Sequence, residues 1–280
     1  MTRTPGRNEF LRHLLLIAMA SVMFYPLGWM LSASLRDDGR INDPGLWPGA
    51  DFTTEHFATG WAGIGGVGFG QFLINSALVA AACVIANVVA CSIAAYAFAR
   101  IDFRGKRIWF ALMFGTLLLP HHVVLIPQYL MFRELGWVNT YLPFIVPKLL
   151  ATDTFFVFLL VQFFRVLPRE LDEAARLDGC GHVRIFWKII LPLAKPALAT
   201  TAIFTFIYSW NDFFTPLIYL TDTDLYTVPL ALRGFVDVNA NSSFGALFAM
   251  SVLSLLPVLG VFIAFQRLLV NGVATTGLRG

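Results

Sequence analysis

Long apolar runs separated by short polar stretches dominate the chain. A helix needs about 20 apolar residues to cross a bilayer. Six runs reach that length: Leu11–Leu35, Phe72–Ala99, Ile108–Phe132, Tyr141–Leu167, Pro196–Leu220 and Phe244–Val270. A helix satisfies its backbone hydrogen bonds internally, which lipid requires. The pattern therefore predicts an all-α, polytopic membrane protein whose six transmembrane helices form one domain, residues 1–280.

Composition agrees with this prediction. The chain is 58% hydrophobic and 13% charged, whereas soluble domains carry roughly 25% charged residues. Arg3, Arg7 and Arg12 precede the apolar stretch Leu14–Leu31, as in a secretory signal. A signal's apolar region spans about 7 to 15 residues, and the run Leu14–Leu31 is longer. We therefore expect an uncleaved first transmembrane helix. No basic tract interleaved with aromatic residues indicates nucleic-acid binding.

The distribution of basic residues predicts the orientation. Segments on the N-terminal side of the membrane hold fifteen lysines and arginines, and segments on the other side hold four. Cytoplasmic loops carry such an excess. We expect both termini in the cytoplasm of a bacterium, in its inner membrane. The outer loop 37–71 is rich in Gly, Pro and Trp and has no helical period, and the outer loop 221–243 is polar.

Small residues and prolines predict a packed, kinked bundle. The second run carries a small residue at every fourth position, which permits close helix packing. These residues are Ala82, Ala86, Ala90 and Ala94. Prolines interrupt several runs and kink helices. They are Pro26, Pro120, Pro127, Pro143, Pro147, Pro216 and Pro257. Broken helices at membrane depth are typical of channels and transporters.

Residues 165–195 form a polar stretch between the fourth and fifth runs, on the predicted cytoplasmic side. Pro168 suits a first helical turn, and the acidic residues that follow it favour the positive end of the helix dipole. Gly179 is placed to end this helix with a positive φ. A second short helix is predicted over Val183–Leu191, ending at Pro192. On this evidence alone, an ordinary solvated loop remains an alternative.

The spacing within the 165–195 segment resembles the EAA motif of ABC importer permeases, E-A-A-x3-G-x9-I-x-L-P. All seven fixed positions match: Glu173, Ala174, Ala175, Gly179, Ile189, Leu191 and Pro192. The stretches 94–106, 209–213 and 272–280 are also similar to carbohydrate-uptake, MalG-like permeases. The family more often has Glu where this chain has Asp212, and often Ala where it has Cys180.

This resemblance implies that the EAA turn is a coupling helix that docks on a separate ATPase subunit. The implied contact residues are Glu173, Ala174, Ala175, Asp178 and Gly179. The implied tail contacts are Gly277, Leu278, Arg279 and Gly280 within the tail 271–280. Trp210, Asn211 and Asp212 are candidates for the solute pathway. The expected partners are a second permease subunit, two ATPase subunits that bind ATP and Mg, and an extracytoplasmic solute-binding protein.

The expected function is therefore uptake of a sugar or sugar-like solute by alternating access. Import of glycerol phosphate or a polyol is the alternative, followed by a stand-alone secondary transporter or channel and by a membrane scaffold. The chain has no G-x-x-x-x-G-K-[ST] motif, so we expect no enzyme and no bound cofactor.

Other candidate motifs give weaker signals. Gly63–Gly68 fits G-x-G-x-x-G but lacks the strand and the acidic residue of a dinucleotide site. His121 and His122 are adjacent, so their side chains diverge by about 100° on a helix and form no metal pair. Lys148 and Asp153 are ionisable residues within an apolar run and are therefore functional candidates. The alternative is that they lie near the outer end of the fourth span and reach towards the interface.

Overall fold

The computed structural model describes residues 7–41, 43–49, 52–236 and 243–274. Within them the regular structure is helical, with no β-strand. The α-helices are α1 Arg7–Ala33, α2 Glu55–Ala62, α3 Phe69–Arg100, α4 Lys106–Gly115, α5 His121–Glu134, α6 Leu142–Leu149, α7 Thr154–Val166, α8 Glu170–Leu177, α9 His182–Ile185, α10 Leu191–Leu193, α11 Lys195–Asn211, α12 Phe214–Tyr219, α13 Val228–Gly234 and α14 Phe244–Ala274. A π-helix, Phe186–Ile190, joins α9 to α10.

Four stretches are long and apolar enough to cross a membrane without a large bend. They are Glu9–Ala33, Phe69–Arg100, Leu142–Val166 and Phe244–Gln266, which match the first, second, fourth and sixth predicted spans. Two bent helix pairs raise the number of candidate spans to as many as six. Lys106–Leu118 and Val123–Glu134 enclose an angle of 106°, and His182–Leu193 and Lys195–Asn211 enclose 78°. The chain is thus a helical membrane protein with several apolar spans.

The third predicted span, Ile108–Phe132, is wrong as a single helix. Leu119 and Pro120 both adopt extended backbone angles, with ψ of 122° and 126°. Proline disfavours the helical conformation in the residue before it and offers no backbone N–H of its own. The helix therefore ends before this pair, and α5 begins after it.

The fourth and fifth predicted spans are also interrupted. In the fourth, residues 150–153 separate α6 from α7, and Ala151 adopts a positive φ of 54°. In the fifth, predicted over Pro196–Leu220, α11 ends at Asn211 and the short α12 follows. Breaks of this kind do not weaken the hydrophobic pattern, which is why the sequence predicts continuous spans.

The loop 37–71 contains a helix that its composition does not predict. Helix α2 begins after Thr54, carries Glu55 in its first turn, and ends at Gly63, whose φ is 82°. A buried arginine organises the chain before it: Arg36 donates to the carbonyls of Asp43 and Gly45 and to Ser32 Oγ. The sequence shows no helical period in the loop 37–71, so this short helix was missed.

Among the described residues, backbone packing separates two compact units. One comprises Met1–Gln71 and Ala231–Leu256, and the other Phe72–Leu230 and Pro257–Gly280. In the first unit, Trp29 packs edge-on against Phe248 at 5.3 Å between ring centroids. Most of α1 is exposed apolar surface: its most apolar 18 residues are 0% buried in the protein. That surface suits lipid or a partner helix rather than water.

In the second unit, one core joins the second half of α3 to α7, α11 and the 165–195 segment. Its buried members include Ala95, Val157, Leu160, Ile190 and Ala197. A second core joins the first half of α3 to α5, α6 and α12, around Val79, Phe132, Phe144 and Tyr219. Helix α3 is therefore the shared wall of both cores, and it positions the polar segment described below.

The alanine ridge is the predicted series Ala82, Ala86, Ala90 and Ala94 on α3. The most deeply buried residues between positions 82 and 95 of this helix each follow one of these alanines by one position. Cys83, Asn87, Cys91 and Ala95 are each at most 1% exposed, whereas Ala82, Ala90 and Ala94 are half-buried. Asn87 Nδ2 donates to Thr205 Oγ1 of α11 across 2.8 Å. The sequence predicts small residues on the packed face correctly, but a polar interhelical contact fixes its register.

The Asn87–Thr205 hydrogen bond predicts a measurable coupling between α3 and α11. In a double-mutant cycle with Asn87→Ala and Thr205→Ala, we expect a coupling energy of about 1 kcal/mol, in the range found for buried hydrogen bonds between membrane helices. Equilibrium unfolding in mixed micelles measures it. The control cycle combines Asn87→Ala with Thr200→Ala. The Thr200 hydroxyl donates to Pro196 O within its own helix, so this cycle is expected to be additive. Additivity of the first cycle as well contradicts the prediction.

Candidate functional site

The 165–195 segment folds into two short helical arms joined by a tight turn. The first arm is α8, which begins at Glu170 rather than at Pro168. The second arm comprises α9, the π-helix and α10. It does not end at Pro192, as predicted, but includes this proline, which follows the π-helix and Leu191 without a break. The arm ends at Leu193 and the chain bends by 78° into α11.

The turn between the arms depends on Gly179. Its φ is 75°, a left-handed conformation that glycine adopts without steric cost. Gly179 N donates to Arg176 O at 2.9 Å, and Cys180 N donates to Ala175 O at 2.9 Å. These two bonds form a Schellman motif, which satisfies the last carbonyls of α8. The predicted role of this glycine in ending the helix is confirmed.

The candidate contact residues do not all face the same way. Glu173, Ala174, Asp178 and Gly179 are exposed. Ala175 is buried, with 6% exposure, and packs in the core below α8. Ile189 and Leu191 pack at the edge of that core, and Pro192 is exposed. The EAA positions thus divide into an outward set and a set that holds the segment's shape.

Exposed apolar side chains flank the turn, and the sequence gives no direct sign of them. Leu177 is 90% exposed, Val183 73% and Trp187 55%. Val183 and Trp187 line an open depression of about 500 Å³ together with Gly181, His182, Arg184 and Lys188. Contiguous exposed apolar surface is common at protein and membrane interaction sites.

A buried ion pair ties the first arm to the end of α3. Arg100 Nη1 lies 3.0 Å from Asp172 Oδ2, and the two side chains are 2% and 11% exposed. Arg100 Nη2 also donates to Phe164 O at 2.6 Å and to Leu167 O at 2.7 Å. These carbonyls lie at the C-terminal end of α7, where no intrahelical donor remains. One guanidinium therefore joins α3, α7 and α8.

A second contact ties the other arm to α3. Tyr96 Oη lies 3.2 Å from His182 Nδ1, and the Tyr96 ring packs on Phe186 with centroids 5.2 Å apart. Tyr96 and Arg100 are four residues apart on α3 and therefore share one face. Sequence reasoning missed both anchors. Their one visible signal is that Tyr96 and Arg100 are the polar residues in the last turns of an otherwise apolar run.

The candidate pathway residues lie at the opposite end of α11. Trp210 is 3% exposed and stacks on Phe206 at 5.5 Å between centroids. Asn211 Nδ2 donates to Ile207 O within α11. Asp212 Oδ1 accepts a hydrogen bond from Thr215 N in the first turn of α12. About 25 Å of helix separates these residues from the 165–195 segment, so the structure does not bring the two sites together.

Of the remaining candidates, the side chains of Lys148 and Asp153 are described by the structure and those of the others are not. Lys148 Nζ lies 2.6 Å from Asp153 Oδ2, so these residues pair across the break between α6 and α7 instead of each reaching separately for water. The tail residues Gly277–Gly280 and the side chains of His121 and His122 lie outside what is described. Among the described residues, no cluster of three or more histidine, cysteine or acidic side chains is placed to hold a metal.

Comparisons with known proteins place the chain in a family. Residues 86–275 match the family "Binding-protein-dependent transport system inner membrane component". The trehalose/maltose transport system permease protein MalG of Thermococcus litoralis is 31% identical over 98% of this chain and 99% of its own. The sn-glycerol-3-phosphate transport system permease protein UgpE of Yersinia pestis is 31% identical over 93% of this chain and 94% of its own.

The fold has a counterpart among solved structures. A chain in the crystal structure of a bacterial ABC transporter involved in the import of the acidic polysaccharide alginate aligns with a TM-score of 0.81. The alignment covers 95% of this chain and 98% of that one, at 23% identity. An identity of 23% supports a shared fold alone. The family is shown by the family match and by the sequence relatives. The chain belongs to the family of binding-protein-dependent transport system inner membrane components and is a permease subunit of an ABC importer.

Proposed function

We propose that this permease carries a sugar or a sugar-like solute across the bacterial inner membrane. The observation that carries this proposal is the full-length similarity to the trehalose/maltose permease. The glycerol-phosphate permease is equally similar, so local chemistry has to favour one solute. The candidate pathway residues offer an aromatic ring, an amide and a carboxylate. A carboxylate such as Asp212 repels a phosphate, which favours a neutral sugar.

The proposed topology has six spans with both termini in the cytoplasm. The bent pair over residues 106–134 is the third span and α11 forms most of the fifth. The excess of basic residues at one set of span ends supports this orientation, and it places the 165–195 segment on the cytoplasmic face. The proposed assembly adds a second permease subunit, two ATPase subunits that hold ATP and Mg, and an extracytoplasmic solute-binding protein.

The turn of the 165–195 segment is the proposed contact with the ATPase. Glu173 and Asp178 offer charged contacts, and the exposed side chains of Leu177, Val183 and Trp187 offer apolar area. Ala174 and Gly179 allow close approach because their side chains are small or absent. Ala175 supports this surface from inside, as do Ile189 and Leu191 of the second arm, whereas Pro192 is on the exposed side of that arm. The tail residues Gly277–Gly280 remain a proposed second contact.

Movement of the ATPase would reach the spans through the anchors on α3. Arg100 holds the first arm and Tyr96 holds the second, so the segment moves with α3 as one piece. Packed interfaces switch between discrete arrangements and do not deform continuously. Closure of the ATPase dimer would therefore shift the helix bundle between its outward- and inward-facing states.

Glu173→Lys tests the docking surface. We expect it to abolish solute uptake because it reverses a charge at the contact, while the amount of protein in the membrane stays unchanged. Uptake by whole cells and immunoblots of membranes measure both. Glu170→Lys is the matched control: it makes the same charge reversal on the exposed side of α8, outside the motif. Undiminished uptake by Glu173→Lys contradicts the assignment.

Asp172→Ala tests the anchor. It leaves the Arg100 charge buried without its acidic partner, a change that costs about 3–5 kcal/mol of stability. We expect faster proteolysis within 165–195 and loss of uptake, measured on purified protein and in cells. Asp178→Ala removes an exposed carboxylate from the same helix and is expected to leave proteolysis unchanged. Equal proteolysis of the two variants contradicts the role of the ion pair.

A ligand screen on the accompanying solute-binding protein tests the solute class. We expect thermal stabilisation by a neutral mono- or oligosaccharide, because a ligand that binds only the folded protein raises its stability. Transport of the same compound by the assembled importer then has to require ATP. Stabilisation by glycerol phosphate alone overturns the sugar assignment but leaves the importer assignment intact.

A further inference from the structure

A cationic cavity lies where α3, α4 and α7 meet. Its volume is about 300 Å³, and its lining comprises Ala99, Arg100, Lys106, Arg165 and Arg169. Four of these five residues are basic. They come from the last turn of α3, the first turn of α4, the last turn of α7 and the link to α8. The cavity is thus built from three separate elements and is more than a run of charges along the chain.

Acidic neighbours neutralise only half of this charge. Asp172 pairs with Arg100, and Asp102 pairs with Lys106 at 3.2 Å. Lys106 Nζ also donates to Ile101 O. Across the described part of the chain, neither Arg165 nor Arg169 forms an ion pair with an acidic side chain. The cavity therefore keeps a net charge of about +2 by this count of paired groups.

Arg100 and Arg165 differ in what they offer a ligand. Arg100 is 8% exposed, and both its Nε and Asp172 Oδ1 are buried without a hydrogen-bond partner. This unmatched donor and acceptor belong to the buried ion pair and are not open to the cavity. Arg165 lies with its Cζ 5.4 Å from the centroid of the Phe110 ring, which leaves the hydrogen-bonding edge of the guanidinium available. An oxyanion in the cavity would accept from that edge.

The surroundings of the cavity indicate what carries that oxyanion. Large apolar side chains beside it are exposed: Ile108 at 67%, Trp109 at 61% and Val166 at 73%. Exposed apolar residues next to basic ones at the ends of spans are typical of the lipid headgroup region. Basic pockets between transmembrane helices on the cytoplasmic side bind anionic headgroups. An acidic soluble partner would not need this apolar rim.

We propose that the cavity binds the phosphate of an anionic phospholipid, with Arg165 and Arg169 as its main ligands. Guanidinium groups hold phosphate through paired, charge-assisted hydrogen bonds. Because Arg100 lines the cavity and also holds Asp172, a bound headgroup stabilises the end of α3 and the first arm together. The lipid is thereby a structural ligand of the 165–195 segment, independent of the solute that the importer carries.

Native mass spectrometry of the full-length chain, titrated with phosphatidylglycerol or phosphatidylcholine, tests this site. A phosphate contact by one arginine contributes about a fivefold change in affinity at the membrane surface. We expect preferential binding of phosphatidylglycerol, weakened about 25-fold in the Arg165→Gln/Arg169→Gln variant by the same scale. Arg107→Gln is the matched control, since Arg107 is exposed beside Lys106 but does not line the cavity. Its affinity is expected to match that of the unaltered chain.

Several outcomes overturn the proposal. Equal binding of both lipids, or an equal loss in Arg107→Gln, shows general surface attraction only. Competition by millimolar inorganic phosphate shows a site for a soluble anion, and displacement of the lipid by added ATPase subunits shows a protein interface. If the glutamine variant does not fold, the same lipid titration is made with the Arg165→Lys/Arg169→Lys variant. This variant keeps the charge but loses the paired guanidinium hydrogen bonds, so it is expected to bind phosphatidylglycerol more weakly than the unaltered chain. Unchanged affinity in a folded protein also overturns the site.

Discussion

The buried guanidinium of Arg100 is the contact on which the arrangement of the second unit depends. It caps the carbonyl end of α7, pairs with Asp172 of α8, and extends from the last residue of α3. Burying two charges is expensive, and a buried pair often adds little net stability. Its effect is on position: any shift of α8 away from α3 leaves a charge or a carbonyl unpaired. The 165–195 segment is thus fixed to α3, the longest described helix.

The bends in the helices follow from the same hydrogen-bonding constraint. A transmembrane backbone can leave the helix only where other groups satisfy it. At residues 119–120, proline removes one donor. At the end of α11, the carboxylate of Asp212 supplies an acceptor to the next helix. Between α6 and α7, the Lys148–Asp153 pair lies at the break. Polar residues inside apolar runs therefore mark the breaks, and they are not all solute ligands.

The helical class, the number of apolar runs and the turn at Gly179 were predictable because each rests on local chemistry: run length, composition and one glycine. The register of α3 and the anchors at Tyr96 and Arg100 were not, because they depend on contacts between residues far apart in sequence. The alanine ridge illustrates the limit. Small residues indicate a packed face, but Asn87 and its partner on α11 decide which face packs most closely. The third span was wrong as a single helix for another reason. Hydropathy does not report the direction of a helix, so it cannot predict the bend of 106°.

The EAA positions combine two different tasks within one short motif. Ala175, Ile189 and Leu191 face the core and fix the angle between the two arms, whereas Glu173 and Asp178 face outward. A segment that transmits movement has to pack rigidly on its core side and fit its partner on its exposed side. A flexible segment would deform and would not pass the movement on. The small inward residue and the glycine turn provide the rigidity, and the anchors on α3 give it direction. The end of α11 that carries the candidate pathway residues lies about 25 Å away, so changes at that end need not disturb the 165–195 segment.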